Sequence, residues 1–258
     1  MKRVLRVAAG CVVTVALGVA GDSATQVIGY DNIHIRVPDP AKTVEWYVKY
    51  LGATTPTAGQ VYFGKALIAV VKTNNPQPSA GSVIDHFGLS YADIDAKVKE
   101  VEAGGAKIIS PPREAPGVFK FAYIEDPWGV KIELVQDAEL LGFHHVHLRV
   151  KDPEASLAWY QQMFGGRRDK LRGRVEGLRY GSIWLFAASS GAETPAPSSE
   201  RAIMSFGLQV PNIAEAAASL GQRGVQFPVQ PRQLGALWYA FAEDPNGVRV
   251  ELLQRPLQ

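Results

Sequence analysis

The chain has almost no cysteine: Cys11 is the only one among 258 residues, and it lies within an apolar run near the start. This scarcity excludes a disulfide framework, so stability must come from packed hydrophobic cores. Hydrophobic residues make up 47% of the sequence and charged residues 20%, as is typical of globular proteins. The length fits two ordinary domains.

Long hydrophobic runs are also scarce, and the first residues differ from the rest. Lys2, Arg3 and Arg6 precede the apolar run Val7–Val19, which is too short to span a bilayer comfortably. This pattern predicts a cleaved secretory signal peptide over residues 1–24 and a secreted or periplasmic protein. An uncleaved membrane anchor is the alternative.

An excess of charge of either sign is absent. Of 27 basic and 25 acidic residues, loss of residues 1–24 removes three basic residues and Asp22, which leaves 24 of each. A balanced chain has no electrostatic basis for binding nucleic acid or an anionic membrane. We therefore expect a small-molecule partner, no nucleic acid, no membrane after signal cleavage, and a monomer or homodimer.

What the sequence does contain is a pattern written twice. NIHIRVPDP at Asn32–Pro40 recurs as HVHLRVKDP at His145–Pro153, and EDPWGVKIELVQ at Glu125–Gln136 recurs as EDPNGVRVELLQ at Glu243–Gln254. A repeat that brackets both ends of a segment predicts two domains of one fold. We place them at residues 28–137, the first repeat, and 143–255, the second repeat.

Each repeat is itself predicted to alternate strands with helices. In the first repeat, period-two alternation predicts a strand at Asn32–Val37. Asp39 as N-cap and Pro40 at the first helical position predict a helix that ends at Leu51. The same order restarts with a strand at Asp85–Tyr91. The sequence therefore predicts an α+β fold.

Three residues of metal-binding type fall on one side of these strands. His34, His86 and Glu133 lie on the strand faces opposite the helix-packing residues. Imidazoles and a carboxylate bind Fe²⁺, Mn²⁺, Zn²⁺ or Ni²⁺ and leave positions open for a substrate. Histidines that only form hydrogen bonds within the sheet are the alternative.

At these residues the chain resembles the vicinal oxygen chelate superfamily, which includes glyoxalases, bleomycin-resistance proteins and extradiol dioxygenases. The motifs are HIRVPDP from His34, DHFGLSYADID at Asp85–Asp95 and DPWGVKIEL at Asp126–Leu134. The resemblance covers nearly everything after residue 24. It implies tandem βαβββ modules that form two glyoxalase/bleomycin-resistance-like domains with cup-shaped mixed sheets.

The resemblance also implies where the metal ligands lie. Family ligands come from the first strand of each module and the last strand of the domain, here His34, His86 and Glu133. We therefore expect the site to lie wholly within the first domain.

The second domain differs at the middle ligand. There His147 and Glu251 match the family positions, whereas Ser205 replaces the histidine. Either this domain has lost its metal, or His145 joins His147 and Glu251 in a surrogate site.

Other side chains are candidates for substrate contact. Arg36 shares the strand face of His34 and could hold a substrate carboxylate, with a strand-end salt bridge as the alternative. Tyr62 and Phe121 could form an aromatic wall, although aromatic residues in strands more often belong to the core.

The candidate groups for moving a proton are Glu114, Tyr123 and Glu133. Tyr123 matters because the pattern Y-x-x-D-P-x-G-x-x-x-E resembles the latter half of the extradiol dioxygenase signature. The histidine of its earlier half is absent here. The predicted function is a metal-dependent lyase, isomerase or dioxygenase acting on a molecule that chelates through vicinal oxygens. A sequestering protein of the bleomycin-resistance type and a structural role are the alternatives.

Overall fold

The computed structural model describes residues 25–57 and 59–256. The predicted signal peptide, residues 1–24, lies outside the described residues. Within the described part of the chain, no helix is both long enough and apolar enough to cross a membrane.

The described residues form fifteen strands, four α-helices and one short 3₁₀ helix. The elements of the first repeat are β1 (Gly29–Val37), α1 (Pro40–Leu51), β2 (Gln60–Phe63), β3 (Ala66–Lys72), β4 (Ile84–Ser90), α2 (Ile94–Ala103), β5 (Lys107–Ala115), β6 (Phe119–Glu125) and β7 (Lys131–Gln136). Those of the second repeat are β8 (Gly142–Val150), α3 (Pro153–Phe164), β9 (Arg167–Leu171), β10 (Val175–Tyr180), β11 (Ile183–Ser189), the 3₁₀ helix Ser198–Glu200, β12 (Ile203–Gln209), α4 (Ile213–Gln222), β13 (Gln226–Leu234), β14 (Leu237–Glu243) and β15 (Arg249–Gln254).

Local sequence signals explain where the helices begin and end. The Asp39 side chain accepts a hydrogen bond from the backbone N–H of Lys42, and Pro40 occupies the first turn of α1. Gly52 ends that helix at φ +73°, a left-handed conformation that glycine adopts without a steric penalty. The helix therefore has the bounds that the sequence predicts.

The strands form two mixed sheets. The seven-stranded sheet has the order β13-β14-β15-β12-β1-β3-β2, and the eight-stranded sheet has the order β5-β6-β7-β4-β8-β11-β10-β9. At their centres, β1 pairs antiparallel with β12 and β4 pairs antiparallel with β8. Each sheet therefore contains one module from each repeat, so the predicted α+β class is confirmed while sheets and repeats do not coincide.

The core lies on the sheet faces that contact the helices. Fully buried residues on these faces include Ile33, Phe87 and Phe206, which belong to one continuous cluster with Tyr47 of α1 and Tyr160 of α3. The opposite faces of the central strands carry polar residues. Burial of the apolar face thus determines which side chains line each cup.

Candidate metal centre

Strand pairing at the centre of the eight-stranded sheet brings together side chains from both repeats. In the β4–β8 pair, His86 is opposite His147 and Gly88 is opposite His145. In the β4–β7 pair, Gly88 is beside Glu133. Paired strand residues share a face, so all four ionisable side chains point into the same cup. We call His86, Glu133, His145 and His147 the histidine cluster.

The donor atoms of the histidine cluster are close enough to bind one ion. One ligand atom from each residue lies within 4.8 Å of all the others. Glu133 Oε2 is 3.1 Å from His86 Nε2 and 3.0 Å from His145 Nε2. The His86 and His147 ring centroids are 4.7 Å apart.

Gly88 provides the space that His145 occupies. A Cβ atom at this position would lie 2.1 Å from His145 Cε1, far inside van der Waals contact. Any larger residue would therefore displace the imidazole from the cluster.

Hydrogen bonds behind the cluster orient two of its rings. His86 Nδ1 donates to Asp85 Oδ2 at 2.7 Å, which directs Nε2 into the cup toward Glu133. Asp85 also pairs with Lys131. Partners of this kind fix the tautomer and orientation of metal-binding histidines.

His145 is oriented through His144. His144 Nε2 is 3.4 Å from Asp137 Oδ2, and its Nδ1 is 2.8 Å from His145 Nδ1. When His144 donates from Nε2 to Asp137, its Nδ1 accepts a hydrogen bond from His145 Nδ1. His145 Nε2 then carries a lone pair that faces the cup. Arg172 Nη2 holds Asp137 from outside at 2.7 Å.

The protonation states of His145, His147 and Glu133 suit cation binding. Burial lowers the pKa of His145 to about 4 and the pKa of His147 well below its ordinary value, so both imidazoles are neutral at pH 7. Burial alone would raise the pKa of Glu133, but the adjacent His145 and His86 rings hold it well below the ordinary value. Hydrogen bonding to Asp85 and Glu133 outweighs burial and raises the pKa of His86.

Two buried nitrogens of the cluster have no hydrogen-bond partner. They are His147 Nδ1 and His145 Nε2. His145 Nε2 is close to Glu133 Oε2, but the two atoms are not aligned for a hydrogen bond. A buried polar atom without a partner costs about 1–3 kcal/mol, and a cation would remove that cost at a ligating nitrogen. Three imidazoles and a carboxylate therefore fit a divalent transition metal.

The structure corrects the predicted ligand set. His34 lies in the other sheet, where its Nε2 is 3.2 Å from Glu251 Oε2, so it does not meet His86 and Glu133. The surrogate set is divided as well, because His145 and His147 join the histidine cluster while Glu251 does not. The physical reason is strand pairing across the repeats, which joins β4 with β8 and β1 with β12.

The predicted proton-transfer residues are separated. The Tyr123 ring lies 5.1 Å from the His86 ring, and Glu133 lies within the cluster. Glu114 is opposite Lys120 in the β5–β6 pair, whereas its neighbour Arg113 is opposite Phe121. Glu114 therefore points away from the site and is exposed.

Of the predicted substrate-contact residues, only Phe121 lies near the cluster. Its ring is 5.6 Å from that of Tyr123. Arg36 Nη1 donates to the Ser199 carbonyl at 2.6 Å, which joins the two repeats. The Tyr62 hydroxyl donates to Gln60 Oε1 at 2.9 Å in the other sheet.

Sequence reasoning missed an aromatic wall contributed by the second repeat. The Phe186 ring lies 5.3 Å from His145 and 5.9 Å from His147, and it stacks on Trp184. The β5–β6 and β9–β10 hairpins meet at the mouth, where a Cβ at Gly117 would be 2.6 Å from Arg174 Nε. The cluster thus has aromatic rings from both repeats beside it.

Comparison with known proteins defines the class to which this fold and site belong. The model of the Glyoxalase/Bleomycin resistance protein/Dioxygenase superfamily matches residues 29–134 and again 142–252. The chain is therefore a member of this superfamily, with two tandem glyoxalase-like regions.

Individual relatives carry glyoxalase names. A lactoylglutathione lyase of Pseudomonas aeruginosa is 30% identical over 149 residues, which cover 45% of this chain and 83% of the relative. A "probable lactoylglutathione lyase, chloroplastic" of Arabidopsis thaliana is 33% identical over 87 residues, covering 33% of this chain and 25% of that protein. Glyoxalase I from Zea mays has the same fold, with a TM-score of 0.69 at 20% identity, covering 88% of this chain and 92% of that one.

Proposed function

We propose that the histidine cluster is the divalent-metal site of an enzyme that acts on a small molecule chelating through two vicinal oxygens. The reaction class is that of a lyase, an isomerase or a dioxygenase. One observation carries the proposal: donor atoms of four side chains from both repeats lie within 4.8 Å of one another, and burial keeps the His145 and His147 imidazoles neutral.

The protein groups supply binding, orientation and exclusion of water. A bound divalent cation would act as a Lewis acid toward substrate oxygens. Asp85 orients the His86 ring and His144 orients the His145 ring, while Phe121, Phe186 and Trp184 give an aromatic surface near them. Such a surface suits a planar chelating substrate and keeps bulk water from the reacting oxygens.

Tyr123 is the protein group placed to hold a proton beside the cluster. Burial, together with the negative charge of Glu133, raises the pKa of its phenol far above the ordinary value. The phenol therefore stays protonated at pH 7, and it can donate a hydrogen bond to an oxygen on which negative charge develops.

The names of the relatives direct the choice of substrates. Two are called lactoylglutathione lyases, and the superfamily name includes dioxygenases. The experiment incubates protein loaded with Fe²⁺, Mn²⁺, Zn²⁺ or Ni²⁺ with 2-oxoaldehyde–thiol adducts, catechols and 2-oxo acids, and follows product mass and oxygen uptake.

We expect turnover of one substrate class and its loss in Glu133→Ala, because that substitution removes the only carboxylate of the cluster. The matched variant Glu251→Ala changes the equivalent residue of the other sheet and should keep the activity. Equal activity in wild type and Glu133→Ala would contradict a catalytic role for the cluster.

A metal-anchored sequestering protein is the second candidate. The observation in its favour is that Glu114 points away from the cup while Tyr123 is held protonated, so neither serves as a base. Tight binding of a chelating compound without turnover under any of the four metals would favour this candidate.

A further inference from the structure

The seven-stranded sheet contains a second cleft at the position equivalent to the histidine cluster. β1, β12 and β15 form it in the same way that β8, β4 and β7 form the cluster. The four cluster positions are occupied there by Asn32, His34, Ser205 and Glu251, which correspond to His145, His147, His86 and Glu133.

The second cleft is poorly suited to a cation. His34 is its only imidazole, and Ser205, which replaces a histidine, is fully buried without a hydrogen-bond partner for its hydroxyl. Glu251 Oε2 already accepts a hydrogen bond from Asn32 Nδ2 at 2.7 Å. With one imidazole and one carboxylate, against three imidazoles and one carboxylate in the cluster, this donor set competes weakly for the transition metals that fit the cluster.

The second cleft lacks the aromatic ring that lies directly beside the histidine cluster. Phe186 is paired with His147 beside the cluster, but the residue paired with His34 is Ala69. The resulting cavity has a volume of about 250 Å³ and opens near Leu234, whose exposed fraction is 68%. Its apolar walls are formed by Leu67, Leu234, Leu237, Tyr239, Phe241 and Leu253.

The floor of this cavity presents hydrogen-bond acceptors. A carboxylate can only accept, so the Asn32 amide nitrogen must face Glu251 and its Oδ1 is left over. That Oδ1 has no partner although Asn32 is only 1% exposed. Gly207 leaves room for the amide, because a Cβ there would be 2.7 Å from the Asn32 side chain.

The rim does not offer a free cation to an anionic ligand. Arg255 lines the cavity, but its Nε and Nη2 donate to Asp31 at 2.6 and 2.7 Å. The ligand that complements this cavity therefore has a hydrogen-bond donor directed to Asn32 and Glu251, an apolar ring against the leucines, and no negative charge.

We propose that the second cleft binds, without a metal, a small uncharged aromatic compound that carries a hydroxyl or amino donor. This inference concerns the sheet opposite the histidine cluster and is independent of the reaction proposed there. The apolar walls supply affinity in proportion to the buried area, and the buried acceptors select molecules with a donor.

The experiment is a fluorescence titration of the full protein with 2-naphthol in the presence of EDTA. We expect saturable binding at one site per chain. 2-Methoxynaphthalene, which keeps the ring but lacks the donor, should bind about tenfold more weakly, because a buried acceptor is then left unpaired.

Two variants locate the site. Ala69→Phe introduces the ring that Phe186 provides in the other sheet and should abolish saturable 2-naphthol binding, whereas Phe186→Leu beside the histidine cluster should leave it unchanged. Glu251→Gln keeps the shape of the cavity and should reduce the preference for 2-naphthol over its methyl ether.

Three outcomes would overturn the proposal: absence of saturable binding, equal binding of the two naphthalenes, or wild-type binding in Ala69→Phe. If circular dichroism shows that Ala69→Phe is unfolded, the ligand preference in Glu251→Gln decides instead, and an unchanged preference overturns the proposal.

Discussion

Asp85 acts on the histidine cluster from outside it. Its carboxylate accepts from His86 Nδ1 and is itself held by Lys131, so that His86 presents Nε2 toward Glu133. An orienting carboxylate of this kind typically contributes 10- to 100-fold to metal affinity.

We expect Asp85→Asn to lower the affinity for Zn²⁺ about 10- to 100-fold, measured by competition with a chromophoric chelator. Asp31→Asn is the matched control, because Asp31 is also a buried acid but pairs with Arg255 beside the second cleft. Identical Zn²⁺ affinities in wild type and Asp85→Asn would show that the carboxylate does not orient a ligand.

Strand β4 contributes His86 to the cluster and Gly88 beside it through its side-chain alternation. All seven of its residues are buried, with Phe87 and Leu89 facing the core and His86 and Gly88 facing the cup. Gly88 is required on this strand because the His145 ring fills the place where its side chain would stand.

We expect Gly88→Ala to displace His145 and to reduce Zn²⁺ affinity about tenfold or more, because one of four ligands is lost while the other three remain. Gly207→Ala in β12 is the matched control, since it makes the same change against Asn32. Isothermal titration with Zn²⁺ measures both. A variant Gly88→Ala that binds Zn²⁺ like wild type would exclude His145 as a ligand.

Alternation along single strands could be predicted from the sequence of one repeat, whereas the strand partners are indicated only when the two repeats are compared. The pattern around His34, His86 and Glu133 correctly places these residues on the faces away from the helices. Within one repeat it does not indicate whether β4 pairs with β1 of its own repeat or with β8 of the other, because both strands alternate polar and apolar residues in the same way. Pairing across the repeats supplies His147 to the cluster and Ser205 to the second cleft.

Comparison of the two repeats indicates this pairing of strands from different repeats. His145 and His147 alternate on one strand face, and the repeat that lacks the middle histidine is the one that contains both of them. When β8 lies beside β4, the residues of the histidine cluster form one complete set of ligands. The equivalent positions of the other sheet then form an incomplete set. The aromatic wall of Phe186 and Trp184 follows from the same pairing.

In the molecule as a whole, the two repeats together form two central sites. One is the histidine cluster, and the other is the second cleft, which lacks the full set of metal ligands. Each repeat contributes one module to each sheet, so neither repeat contains a complete cluster. The two central sites therefore differ in their side chains. One is formed by imidazoles with aromatic rings beside them, and the other is an open apolar cavity with a polar floor.

The most direct test of this account is the metal content of two histidine variants, His147→Ala and His34→Ala. These residues occupy the same position in the two repeats, and only His147 belongs to the cluster. Protein without a histidine tag is loaded with Zn²⁺, dialysed and analysed by mass spectrometry of the metal. We predict about one Zn²⁺ per chain in wild type and His34→Ala, and a large loss in His147→Ala. Loss of Zn²⁺ in His34→Ala with full retention in His147→Ala would contradict the account.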